Sequence, residues 1–231
     1  MKRLLFLPLL FTFIAAPLWA AEVNTLENDQ DKISYAVGMN IGKTVEALDF
    51  NIDLDILIAG LTAAFNSEEG LLSESEMGTV LNSLQQQLQQ RAMAEQAEIA
   101  EENLEKGNEF LKQNAKEEGV KSLESGLQYK IITKAAGAIP TKDDTVRVHY
   151  RGTLIDGTEF DSSYQTGNPV EFPVGGVIPG WVEILQLMHV GEKLKVAIPP
   201  SLAYGEMGAP PRIEPNTVLL FELELLEIVE K

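Results

Sequence analysis

Cysteine is absent from the 231-residue sequence, so no disulfide, thiol nucleophile, thiolate metal site or cysteine-linked lipid anchor is available. Stability must come from packing alone. Histidine is nearly absent too. His149 and His189 are the only two, and neither stands in a ligand or triad spacing, which leaves metal-dependent and acid/base hydrolysis without their usual side chains. Both read as solvated surface residues. Bases are in short supply, 18 Lys and Arg against 35 Asp and Glu, and a net charge of −17 argues against sequence-independent nucleic-acid binding. Long apolar runs are also missing. The stretch from Leu4 to Leu18 is interrupted by Pro8, Thr12 and Pro17, which makes it a poor membrane span. With Lys2 and Arg3 before it and Ala20 closing it, residues 1–20 read instead as a secretory signal peptide. The expected location is therefore outside the cytoplasm: a periplasmic protein, with the outer membrane or cell surface as a further resting place.

What remains is ample for folding. The apolar fraction is 45%, and the length allows two domains. The charge is unevenly shared, with 20 acids and 6 bases over residues 21–119 but 15 and 10 over residues 120–231. No proline occurs between Pro17 and Pro140, and this half reads as helix throughout. Ile33, Val37, Ile41, Val45 and Leu48 recur at helical spacing after Asp29 and Asp31. Gly38 and Gly42 lie one turn apart beside that stripe. Their cost in helix propensity points to close approach by another helix, in the same chain or in a second copy. Asp53 can cap a second helix whose Leu54, Leu57, Ile58, Leu61 and Phe65 share a face. Ser73 and Glu76 then form a capping-box pattern that opens a helix reaching about Asn114. Its early part repeats Met77, Leu81, Leu84 and Leu88 like a coiled-coil seam. Beyond Gln89 only Ala92, Ile99, Leu104 and Phe110 interrupt a polar surface, the pattern of a solvated bridge. About 40 helical residues would span roughly 60 Å.

From Leu123 the period changes to two. Leu127, Tyr129 and Ile131 alternate with Gln128 and Lys130; Val146, Val148 and Tyr150 alternate with Arg147, His149 and Arg151. Leu194, Val196 and Ile198 repeat the pattern, as do Leu219, Phe221, Leu223 and Leu225. Asp156-Gly157 supplies a hairpin turn, and Trp181 to Met188 has room only for a short helix. Gly175-Gly176 lacks the rest of a nucleotide-binding motif and reads as a turn. An antiparallel sheet curled around one small helix is the expectation.

Val146 to Gly152 (VRVHYRG), Asp156-Gly157, Phe160-Asp161-Ser162-Ser163, Val177-Ile178-Pro179-Gly180-Trp181, Ala203-Tyr204-Gly205 and Leu219 to Leu226 (LLFELELL) follow one another in an order and spacing that resembles the FK506-binding-protein (FKBP) family. Ser34-Tyr35-Ala36-Val37-Gly38 and the long helix are similar to its macrophage infectivity potentiator (Mip) branch. The resemblance implies an α+β protein: a signal peptide over 1–20, an all-α dimerisation domain over 21–70, a connecting helix over 71–118, and an FKBP-type antiparallel sheet around one short helix over 119–231. It also implies a peptidyl-prolyl cis-trans isomerase that assists the folding of exported proteins. Its partners would be proline-containing peptides, unfolded exported chains and a second copy of itself, with FK506-like macrolides as inhibitors. No cofactor or metal is implied. Carried over residue by residue, Tyr150, Phe160, Asp161, Val177, Ile178, Trp181, Tyr204, Ile213 and Phe221 line the proline pocket. Asp161, Tyr204, Ile178 and Tyr150 take the catalytic roles.

Such a reaction breaks no covalent bond. It lowers a rotational barrier of about 18–20 kcal/mol set by amide resonance. An apolar pocket favours the twisted amide, whose charge separation is smaller, provided it binds that form better than the planar one. Where many relatives carry an aromatic, a histidine and a basic residue, the spacing puts Val170, Ala209 and Thr166. The expected rim is accordingly more open and less basic. A non-catalytic alternative remains: a dimeric periplasmic chaperone, or a proline-peptide binding module, whose main role is gripping clients.

Overall fold

The computed structural model describes residues 25–229, so the candidate signal peptide lies outside the described residues. The chain divides into two compact units between Thr79 and Val80. In the first, α1 spans Asp29–Glu46 and α2 spans Leu54–Phe65. The Asn28 side chain caps α1 by accepting from the Asp31 N–H at 3.0 Å. Asp53 caps α2 through the N–H groups of Asp55 and Ile56. Neither helix buries a residue. The apolar stripe predicted from periodicity is present but uncovered, with Ile33 57% and Val37 54% exposed.

The long helix α3 runs Glu74–Asn114 and opens on the expected capping box. Ser73 donates its N–H to Glu76 Oε2 at 2.9 Å, and Glu76 returns its own N–H to Ser73 Oγ at 3.3 Å. Its last turns are not a solvated bridge. Asn216 Nδ2 donates to the Ala100 carbonyl, Asn103 Nδ2 donates to the Pro215 carbonyl and Glu214, and Gln128 Nε2 donates to the Leu111 carbonyl. Gly107 is buried, and a Cβ there would lie 2.7 Å from Val218 Cγ2. Polar side chains that looked solvent-facing are hydrogen-bonded to the sheet unit.

That unit contains β1 (Val120–Ser122), β2 (Gln128–Thr133), β3 (Thr145–Thr153), β4 (Glu159–Ser162), β5 (Val170–Pro173), β6 (Lys193–Ile198) and β7 (Leu219–Val229). All pairings are antiparallel in the order β1-β2-β6-β7-β3-β4, with β5 beside the other half of β3. The short helix α4 (Pro179–Leu185) lies on the concave face, with proline in its first turn where the missing N–H costs nothing. Gly180 permits close packing, since a Cβ there would meet Ile198 Cγ2 at 2.5 Å. Val146, Val148, Ile184, Leu185, Ile198, Leu219, Leu223 and Leu225 are fully buried between sheet and helix. Each contributes about 1.5–3 kcal/mol.

Two side chains depart from the alternating pattern. Gln128, on the face expected to meet water, is 6% exposed because α3 covers it: Asn114 Nδ2 donates to its Oε1 at 2.8 Å. His149 is not freely solvated either. It is half-buried, stacks on Tyr164 at 4.8 Å, and has Nδ1 2.9 Å from Ser163 Oγ.

Candidate active site

The site grows from the register of β3 against β7. Tyr150 faces Leu223 and Gly152 faces Phe221 across the ladder, so the Tyr150 and Phe221 side chains share the concave face. Helix α4 brings Trp181 between them. Its indole receives edge-on contacts from Tyr150 at 5.2 Å, Phe221 at 5.3 Å and Phe172 at 5.5 Å. Phe160, on β4, meets Phe221 edge-on at 5.6 Å. Each such pair adds about 0.5–1.5 kcal/mol beyond burial and fixes ring orientation. The Trp181 Nε1–H is the one buried side-chain polar atom without a partner among the described residues. An unsatisfied donor costs about 1–3 kcal/mol. The local rule is broken at the centre of the aromatic cluster.

One polar pair borders these rings. The Tyr150 hydroxyl donates to Asp161 Oδ2 at 2.7 Å, while Asp161 Oδ1 accepts the Ser162 N–H at 2.9 Å. Burial pushes the Tyr150 phenol well above the ordinary tyrosine range. The bond to Asp161, that carboxylate's charge and the nearby Tyr204 push in the same direction. Ser163 Oγ accepts the Tyr150 N–H at 2.9 Å and pins the strand behind the ring.

Of the nine residues expected to line the pocket, Tyr150, Phe160, Asp161, Trp181 and Phe221 are joined by direct contacts. Ile213 is buried in the same core, against which Val177 and Ile178 pack. The Ile178 carbonyl accepts from Trp181 and Val182 at the start of α4. Its N–H has no partner among the described residues. Tyr204 stays 42% exposed at φ −105° and ψ 0°, a sparsely populated region where functional residues are often held.

Sequence reasoning missed three contributors. Phe172 touches both Trp181 and Tyr150, and its alternation with Glu171 was the available signal. Gly152 leaves room for two rings: a Cβ there would lie 2.6 Å from Phe160 Cζ and 2.9 Å from Phe221 Cε1. Arg212 Nη1 donates to the Phe160 carbonyl at 3.1 Å and so adds one basic side chain beside the aromatic cluster. Val170 and Ala209 pack against the core, and Thr166 Oγ1 donates to the Ser163 carbonyl.

A separate cleft of about 310 Å³ lies between the end of α3 and the outer face of the sheet. Of the nine residues it touches only Phe221, and its lining mixes Phe110, Tyr129 and Leu220 with Lys130, Arg151, Lys195 and Glu222.

An aromatic cluster bordered by one tyrosine–carboxylate pair, on a sheet wrapped around a short helix, is an arrangement that a proline-peptide binding domain could use. Comparison with known proteins agrees. Residues 137–226 match the family described as FKBP-type peptidyl-prolyl cis-trans isomerase, and residues 30–131 match the domain amino-terminal to it. The chain is 40% identical over 231 residues to the peptidyl-prolyl cis-trans isomerase Mip of Coxiella burnetii, covering 100% of both proteins. It is 42% identical over 209 residues to the outer membrane protein MIP of Legionella longbeachae, covering 90% of each. The crystal structure of FkpA from Escherichia coli superposes with a TM-score of 0.74 at 41% identity, covering 88% of this chain and 98% of that one. The chain belongs to the FKBP-type peptidyl-prolyl cis-trans isomerases and is an enzyme of that class.

Proposed function

We propose that this isomerase binds the proline ring over Trp181, between Tyr150, Phe160 and Phe221, and that it acts on exported proteins as a homodimer. The observation that carries the site is the Trp181 indole, ringed by edge-on aromatics and flanked by the Tyr150–Asp161 pair. In this reading Val177 and Ile213 close the sides of the enclosure. The unpaired Ile178 N–H receives a substrate carbonyl, which holds the peptide while the bond beyond it turns. The Tyr204 hydroxyl, exposed at the rim, offers a second donor. Asp161 orients the Tyr150 phenol and biases the carbonyl of the turning amide. Water is kept from the ring, so the less polar twisted amide is favoured over the planar one. The test is kcat/KM for an X-Pro peptide in Asp161→Asn and Tyr204→Phe variants with unchanged circular dichroism. A fall of about tenfold or more for Asp161→Asn is expected, as for loss of a preorganised electrostatic group. Unaltered rates in both variants would remove these roles.

The dimer is supported by the uncovered first unit. Phe65 is 90% exposed and Ile56 71%, and among the described residues nothing beyond the helix's own backbone and the adjoining residues lies within 4 Å of a Cβ built at Gly38 or Gly42. Such faces call for a covering partner. A second copy satisfies them, and light scattering should return twice the chain mass at micromolar concentration. Export to the periplasm rests on the signal-peptide pattern of residues 1–20 and on relatives whose names include an outer membrane protein.

A further inference from the structure

Arg212 is an exposed cation in a protein with nearly twice as many acids as bases, yet no carboxylate pairs with it among the described residues. Glu214, two residues along the chain, and Asp161, next to Phe160, have hydrogen-bond partners of their own. Glu214 Oε2 accepts from Asn103, and both oxygens of Asp161 are taken by Tyr150 and Ser162. The guanidinium is also held in place. Ala209 and Ile213 exchange backbone hydrogen bonds of 2.8 and 3.2 Å, which close a tight turn around Pro210, Pro211 and Arg212. Both prolines fix φ, and Ile213 is anchored in the core at 5% exposure. From that turn, Nη1 reaches the carbonyl of Phe160, whose ring meets Phe221 and whose chain neighbour is Asp161. That one bond leaves the other N–H donors of the guanidinium fork unused at the pocket edge.

We propose that Arg212 is a specificity-determining residue, selecting substrates with an acidic side chain immediately before or after the proline. A planar guanidinium with free N–H groups matches a carboxylate in geometry as well as charge, and a lysine-flanked proline would meet a like charge. The proposal rests on the proline pocket described above.

The experiment measures kcat/KM of the full-length chain on peptides identical except for Glu, Gln or Lys immediately before or after the proline. At one of the two flanks the Glu peptide should exceed the Gln peptide by about two- to fivefold at low ionic strength, the range of an exposed ion pair. That ratio should collapse toward one in about 1 M salt. Arg212→Lys should keep part of the preference, Arg212→Gln should abolish it, and Arg212→Glu should transfer it to the Lys peptide. A purely structural role for the Phe160 bond would lower all peptides alike and leave the ratios untouched, which would overturn the proposal. So would a wild-type ratio of one at both flanks. No turnover of any peptide would remove the pocket reading as well, which keeps the two failures distinct.

Discussion

At the scale of single residues, Tyr150 ties stability to the site. Its phenol is buried, bonded to Asp161 and raised in pKa. Below the ordinary tyrosine pKa of about 10, both folded and unfolded chains keep the proton. Above it the unfolded chain releases the proton first, so the contribution is present at low pH and lost as pH rises. Denaturant midpoints between about pH 9 and 11 should therefore show an alkaline loss of up to about 1.4 kcal/mol per pH unit that Tyr150→Phe diminishes. Identical slopes in the two proteins would refute the coupling. Gly152 makes a second residue-scale case. The Cβ of Gly152→Ala would overlap Phe160 and Phe221, so turnover should fall, with about 1–3 kcal/mol of lost stability from overpacking. Thermal melts and peptide assays on the same preparation check both.

At the scale of elements, α3 changes environment along its length. Around Ala100 to Asn114 it is bonded to the sheet unit through Asn103, Leu111 and Asn114. Amide exchange in those turns should be as slow as in β3 and β7, and Asn103→Ala, which loses two bonds, should speed it. Unchanged protection would mean the docking contributes little. The same helix marks where sequence reading stops. Strands β3, β6 and β7 were legible because burial on one face imposes a period of two, and Asp53 and the Ser73–Glu76 box were legible because caps act over three residues. Gln128 was not, since its burial depends on a helix ending at Asn114 and lying across the sheet. Arg212 likewise acts through Phe160, 52 residues away, where local spacing carries no record, whereas the alternation of Phe172 with Glu171 marked its face but not its ring partners. The pocket aromatics were named only because an ordered family pattern supplied what periodicity leaves open, as each alone would pass for core.

At the scale of the whole molecule, a compact isomerase unit accompanies a helical unit whose apolar faces are exposed. The sheet unit contains every residue the proposed chemistry uses, and the first unit contains none of them. Disrupting the exposed glycine face with Gly42→Leu should shift the mass toward one chain while leaving peptide turnover unaffected. A mass still twice that of the chain would move the interface elsewhere. The central claim is that rotation about X-Pro bonds is accelerated in the pocket over Trp181. Exchange spectroscopy on a proline peptide, with catalytic amounts of the full-length protein, measures it most directly. The account predicts faster cis/trans exchange with no cofactor added, and a marked loss on Trp181→Ala under conditions where that variant remains folded. Exchange at the uncatalysed rate, or full catalysis by the folded variant, would contradict it.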